Sequence, residues 1–149
     1  MSRIARKKVI KMAWTTPKTD WKSTDRFNIS DYNRIKGNLE YLHEFAEELY
    51  LPFSTEDMGD NKESYADYFY ADEFNLFEDN LKILNQNIFT QNFGIAQKFY
   101  DNGPFIQYGE LNRIESATLS MYDLLTVQKK NLPRMAFRLG NAKGGKISN

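Results

Sequence analysis

The chain has 149 residues, enough for one domain with a real core and too few for two comfortable ones. It holds no cysteine and a single histidine, His43, which excludes disulfides, thiolate metal sites and a histidine-rich metal centre within one chain. Net charge is zero and no apolar run approaches the roughly 18–20 residues that cross a bilayer, which argues against a membrane protein and against a strong nucleic-acid binder.

Residues 1–29 read as an N-terminal arm. Arg3, Arg6, Lys7, Lys8 and Lys11 crowd its start without an acid, and no signal-peptide pattern follows them, so a soluble protein made in the cytoplasm is expected. Ile10, Met12 and Trp14 alternate with Lys11 and Ala13, which predicts a short strand over 8–14. Thr15 to Asp20, with Pro17 inside, reads as an extended turn. Trp21 and Phe27 are placed to plug the arm onto the body.

Residues 30–132 read as a helical bundle. The first helix starts at Ser30, a good N-cap, with Asp31 favoured by the helix dipole. Tyr32, Ile35, Leu39, Leu42, Ala46 and Leu49 form a narrow apolar stripe that ends at Leu51-Pro52. A polar loop with Gly59 follows. The second helix, capped by Asp72, carries Phe74, Phe77, Leu81, Leu84 and Ile88, and Gly94 marks a kink or restart before Tyr100. Asn102-Gly103-Pro104 is a firm turn. The third helix, with Gly109 at its cap, carries Leu111, Ile114, Thr118, Met121 and Leu125 and should stop before Pro133. In residues 133–149, Met135, Phe137 and Leu139 alternate with Arg134, Ala136 and Arg138 and predict a second strand, followed by a polar, glycine-bearing tail expected to be mobile. The predicted fold is mainly α: a three-helix bundle, helices near 31–50, 73–88 and 110–131 and roughly antiparallel where loops are short, with short β-strand arms at both termini.

One short pattern recurs three times. Asp31-Tyr32-Asn33-Arg34-Ile35 returns as Glu73-Phe74-Asn75-Leu76-Phe77 and as Glu110-Leu111-Asn112-Arg113-Ile114. The first two copies also share Asn38-Leu39 and Leu42 with Asn80-Leu81 and Leu84. Repetition of this kind points to one structural element used three times. Asn33, Asn75 and Asn112 fall in the first helical turn, where each is expected to bond its own cap backbone as a capping-box residue does. Arg34 and Arg113 sit beside the stripe, within reach of a carboxylate.

Residues that carry chemistry are sparse. His43 lies near Glu44, Glu47 and Glu48, but the Glu-x-x-His spacing of a bundle metal site is lacking. The acidic loop Glu56 to Glu63 has the wrong spacing for a calcium loop. Gly144-Gly145-Lys146 lacks the strand and helix that a phosphate loop needs. No catalytic activity, metal or cofactor is expected. Charge is nevertheless sorted: from Glu56 to Asp79 many acids face only Lys62, while both ends are basic, which suggests complementary faces within or between subunits.

Trp14-Thr15-Thr16-Pro17-Lys18-Thr19-Asp20-Trp21 followed by Phe27 to Asn38, and Phe105 to Glu115 further on, resemble small virion proteins encoded in the tail modules of phages and prophages of Gram-positive bacteria. Similar segments occur in tail-fibre and baseplate-associated proteins of that kind. The likeness implies a structural or attachment role in the virion tail, with self-association and contacts to other tail proteins, and it carries no catalytic residues. Lys8, Ile10, Met12, Trp14, Trp21, Arg134, Phe137 and Arg138 are the assembly candidates on the two arms; Asn33, Arg34, Asn75, Asn112 and Arg113 are the structural residues of the helix starts. The alternative is a small intracellular nucleic-acid-binding or regulatory protein that uses the basic ends.

Overall fold

A computed structural model describes residues 13–64 and 67–145, with side chains as far as Asn131. It contains three helices, α1 Ile29–Leu49, α2 Ala71–Asn87 and α3 Tyr108–Gly145, each packed against the other two. Among the described residues there is no strand. The apolar stripes form the core as their spacing requires: Tyr32, Ile35, Leu39 and Leu42 meet Phe74, Phe77, Leu81 and Leu84, together with Leu111, Ile114, Met121 and Leu125.

The three helices run parallel, not antiparallel. Phe27, Phe69 and Phe105 each stand just ahead of one helix, and their rings touch one another with centroids 5.2, 5.9 and 6.1 Å apart, so the three N-termini converge. Ion pairs keep the same sense: Arg34 early in α1 meets Glu115 early in α3, and Glu48 late in α1 meets Lys129 late in α3. The connections explain how this is possible. A 21-residue helix is about 30 Å long, whereas a connection of some twenty residues can reach about 60 Å when extended. Residues 50–70 and 88–107 are therefore long enough to travel back along the bundle before the next helix begins. With residues 13–28 they make three extended straps, called straps 1, 2 and 3 in chain order.

Helix starts differ from expectation by one or two residues. Asn28 caps α1 in place of Ser30, and Tyr70 caps α2 in place of Asp72. In both, the acid of the repeat closes the cap: the Asn28 N–H donates to Asp31 at 2.8 Å and the Tyr70 N–H to Glu73 at 2.8 Å. Gly109 lies inside α3, one residue past its start. Gly94 makes a left-handed bend, φ 85°, in strap 3, where the sequence suggested a helix kink or restart.

The backbone of α3 passes through Pro133 to Gly145, so 134–139 is helical where alternation predicted a strand, and the boundary placed at 132/133 falls inside a helix. Proline costs one intrahelical bond, but Leu132, Arg134, Met135, Ala136, Arg138 and Leu139 all favour helix, and a lone short strand has no partner to stabilise it. The other predicted strand, 8–14, lies outside the described residues except for Ala13 and Trp14, which belong to strap 1 and to no strand.

Candidate functional site

The repeated asparagines do not cap their helices. Each uses its amide to hold a strap. Asn33 donates to the Lys62 carbonyl at 2.8 Å and accepts from the Lys62 N–H at 2.9 Å. Asn75 does the same with Phe99, at 2.9 and 2.8 Å, and Asn112 with Trp21, at 3.0 and 2.7 Å. A primary amide presents a donor and an acceptor side by side, so it pairs with an extended residue much as a neighbouring strand would. The cap N–H groups of Asn28 and Tyr70 go to Asp31 and Glu73 instead, which frees the asparagine. Five residues further along, Asn38 clasps Thr15 in the same two-bond manner and Asn80 clasps Glu56. That second pair is the signal the sequence carries for the clamps: an asparagine in a helix interior is unfavourable and has nothing to cap.

The clamps form a closed cycle. Strap 1 lies on α3 through Asn112 and on α1 through Asn38. Strap 2 lies on α1 through Asn33 and on α2 through Asn80. Strap 3 lies on α2 through Asn75 and on α3, where Ala117 takes the place of the second asparagine and Arg113 reaches the Phe93 carbonyl at 3.5 Å instead. Every groove between two helices is thus filled by a strap that belongs to the helix following it.

Three residues after each clamp asparagine stand Lys36, Glu78 and Glu115, all buried. Glu115 accepts four bonds: the Lys18 N–H at 3.0 Å, the Trp21 indole N–H at 2.6 Å, and Arg34 Nε and Nη2 at 2.8 and 2.7 Å. Arg34 also pairs with Asp31 at 2.9 Å. Arg113 repeats the arrangement on Glu78 and Glu110, as expected of an arginine beside the stripe. In the third interface Leu76 replaces the arginine and Lys36 replaces the glutamate, so both partners of the ion pair have changed together; Lys36 turns to Glu40 at 3.1 Å and Asn61 at 3.0 Å. Burial raises the Glu78 carboxyl above the ordinary range, with Arg113 opposing the rise.

Of the assembly candidates, Trp21 is buried under the Glu115 knot and so ties the arm onto the body, and Trp14 lies flat on Tyr122, ring centroids 4.1 Å apart. Lys8, Ile10 and Met12 lie outside the described residues, as do the side chains of Arg134, Phe137 and Arg138. His43 donates from Nε2 to the Phe53 carbonyl at 2.7 Å and secures the start of strap 2. Lys62, the lone base of the acidic stretch, pairs with Glu73 at 2.8 Å and lies over the Tyr32 ring at 4.6 Å. Among the described residues no group of three or more His, Cys, Asp or Glu is arranged to hold a metal ion, and no helix is long and apolar enough to cross a membrane. Compared with known proteins, the chain has no significant match to a family model, a curated protein or a solved structure.

Proposed function

We propose that the protein is a structural component of a phage tail, tail tip or baseplate, working by subunit assembly and as an attachment adaptor for a fibre or receptor-binding protein. The observation that supports this reading is the end of the bundle where the three helices begin. There Phe27, Phe69 and Phe105, one from each strap, make a three-ring cluster; Phe105 itself and Tyr68, Tyr70, Tyr100 and Tyr108 around the cluster are about half exposed or more. Exposed aromatic clusters mark association surfaces. A face built three times over by one chain suits a partner that is itself threefold, and closed symmetric assembly is how virion parts grow. The sequence resemblance to tail-module proteins points the same way. The partners in this reading are further copies of the chain and other tail proteins, and the site of action is the virion.

Mass spectrometry of purified particles tests it. The chain is expected in the particle at a fixed ratio to the other tail proteins, and its absence from complete particles rejects the proposal. Tyr68→Ser with Phe105→Ser should keep the helical circular-dichroism signal and lose incorporation. Deleting residues 1–13 should also leave the bundle folded while abolishing incorporation; normal incorporation would remove the basic arm from the mechanism. Nucleic-acid binding whose log affinity falls by about 0.9 per phosphate neutralised, with no particle association, would favour the regulatory alternative.

A further inference from the structure

Helix α3 outlasts its partners. Glu48 in the last turn of α1 meets Lys129, and α1 ends at Leu49. Matching Asn75 with Asn112 sets the end of α2, Asn87, level with Leu124. The α3 backbone nevertheless continues to Gly145, so the stretch 131–145 runs about 22 Å past both neighbours. Among the described residues no other helix accompanies it. The core stripe does not stop where the neighbours do: Leu132, Met135 and Leu139 follow the buried Leu125 by seven, ten and fourteen residues, in the same heptad register. A helix that carries its apolar register beyond its own bundle is made to pack against something else.

Charge selects the partner. From Leu124 to Asn149 the chain has six Lys and Arg and no acid, so two such helices side by side repel. Residues 1–12 hold five bases and no acid and are as poor a cover. The opposite charge is concentrated on strap 2 and the start of α2, where Asp60, Glu63, Asp67 and Asp72 are exposed and the nearby base, Lys62, is occupied by Glu73. Asp60 and Asp67 line a surface hollow of about 250 Å³ with Tyr68 and Tyr70, whose rings are 6.3 Å apart and which are 72% and 53% exposed. A tyrosine face accepts an apolar side chain or a guanidinium, so the hollow suits a helix that is both apolar and basic.

The α3 extension of the same chain points away from this hollow. Asn33 clasps Lys62 beside the start of α1, and Tyr70 caps α2, which puts the hollow at the end where the helices begin. The extension leaves from the other end, about 24 Å further along α1. We propose that the α3 extension of one copy docks in the hollow lined by Asp60, Asp67, Tyr68 and Tyr70 on a second copy, its bases meeting the carboxylates and its stripe the tyrosines. The contact joins unlike surfaces, so it repeats into a file or closes into a ring. It rests on the assembly reading and deepens it by naming the surfaces through which copies meet.

Sedimentation velocity of the full chain tests the contact. Self-association is expected at about 0.1 M salt, with affinity falling about tenfold at about 1 M as the Debye length shrinks from about 10 Å to about 3 Å. Asp60→Lys with Asp67→Asn reverses the charge of the hollow while leaving the Glu63 and Ser64 N–H groups an acceptor. Arg134→Glu with Arg138→Glu reverses the helix. Each double variant alone should sediment as a monomer. Mixed, they should associate again, because the basic hollow meets the acidic helix and the two native surfaces meet each other. Should either variant fail to fold, carbodiimide cross-linking of light and isotope-labelled wild-type chains decides: a link between a lysine of 129–146 and Asp60, Glu63 or Asp67 across the two labels is expected, and its absence overturns the proposal. So does a wild-type chain that stays monomeric up to its solubility limit, a variant that associates like wild type, or a mixture that stays monomeric. Binding of the wild-type chain to DNA or to anionic vesicles without self-association also overturns it and gives the helix to a polyanion. A chain found in purified particles yet monomeric in solution sinks this contact and leaves the assembly reading standing.

Discussion

Glu115 and Glu78 occupy the same place in two copies of one structural unit, yet one is saturated and the other is half satisfied. Glu115 gathers two backbone-fixed donors from strap 1 and a bidentate arginine; Glu78 has its arginine on one oxygen and a weak contact from the Gln97 N–H at 3.4 Å. The difference lies in the straps rather than in the helices. Trp21 and Trp14 complete the first groove, while Phe99 and Asn92 leave the second open. A buried carboxylate stabilises a fold only when its donors are complete. The first unit is therefore a structural knot, and the second is where the scaffold has been relaxed.

Glu115→Ala should break that comparison most severely. It strands the Arg34 guanidinium and the Trp21 indole N–H in the interior, so a loss of about 3–5 kcal/mol is expected in urea denaturation, whereas Glu78→Ala, which leaves Arg113 paired with Glu110 and strands no indole, should cost less. Equal losses at the two positions would dissolve the distinction. Next come the clamps: Asn112→Ala and Asn75→Ala each leave one strap residue with unpaired N–H and C=O groups, for about 1–3 kcal/mol. Asn112→Ala should be the costlier, because freeing Trp21 also withdraws the indole from Glu115.

A smaller effect sharpens the third interface. Lys36→Glu alone places an acid beside Glu40 and should destabilise; adding Leu76→Arg restores the pair found in the other two units. A double-mutant cycle is expected to show favourable coupling of about 0.5–1 kcal/mol, and zero coupling would mean the third interface is not equivalent. The smallest effect is on pH. The folded-state pKa of Glu78 is raised, so its contribution to stability is full below the ordinary glutamate range and is lost as pH rises through the raised value. Stability measured from pH 4 upward should lose this component in wild type and not in Glu78→Gln; an unchanged slope would assign the pH dependence elsewhere.

The stripes were legible because a period of three and four residues fixes which face of a helix is buried, and Ile35, Leu81 and Ile114 are all in the core. Helix direction was not, since a stripe reads the same for parallel and antiparallel packing. The length of the segments between helices carried that information: some twenty polar and aromatic residues are far more than an antiparallel turn needs. The clamp role of Asn33, Asn75 and Asn112 was hidden because its partners lie 29, 24 and 91 residues away, and local chemistry offered a plausible cap. The place of Arg34 and Arg113 beside the stripe is enough to expect a carboxylate partner, but which carboxylate depends on helix order around the bundle. Pro133 hides the α3 extension, because a proline signals a helix stop while the helix-favouring residues beside it carry the backbone through.

The lock between Trp21 and Asn112 joins the first described segment to the last helix, across 91 residues. On the ribosome, strap 1 emerges early and only its Asn38 clasp on α1 can form before α3 has been made, so Trp21 waits without Asn112 and Glu115 through most of synthesis. Helical proteins normally fold fast because their contacts are local, but here the strap contacts carry the sequence separation of a β-sheet protein. Folding should accordingly be slower than the helix content suggests, with closure of strap 1 as the late step. During that wait the chain is open to capture by another copy's α3, a route by which the same residues could exchange between molecules.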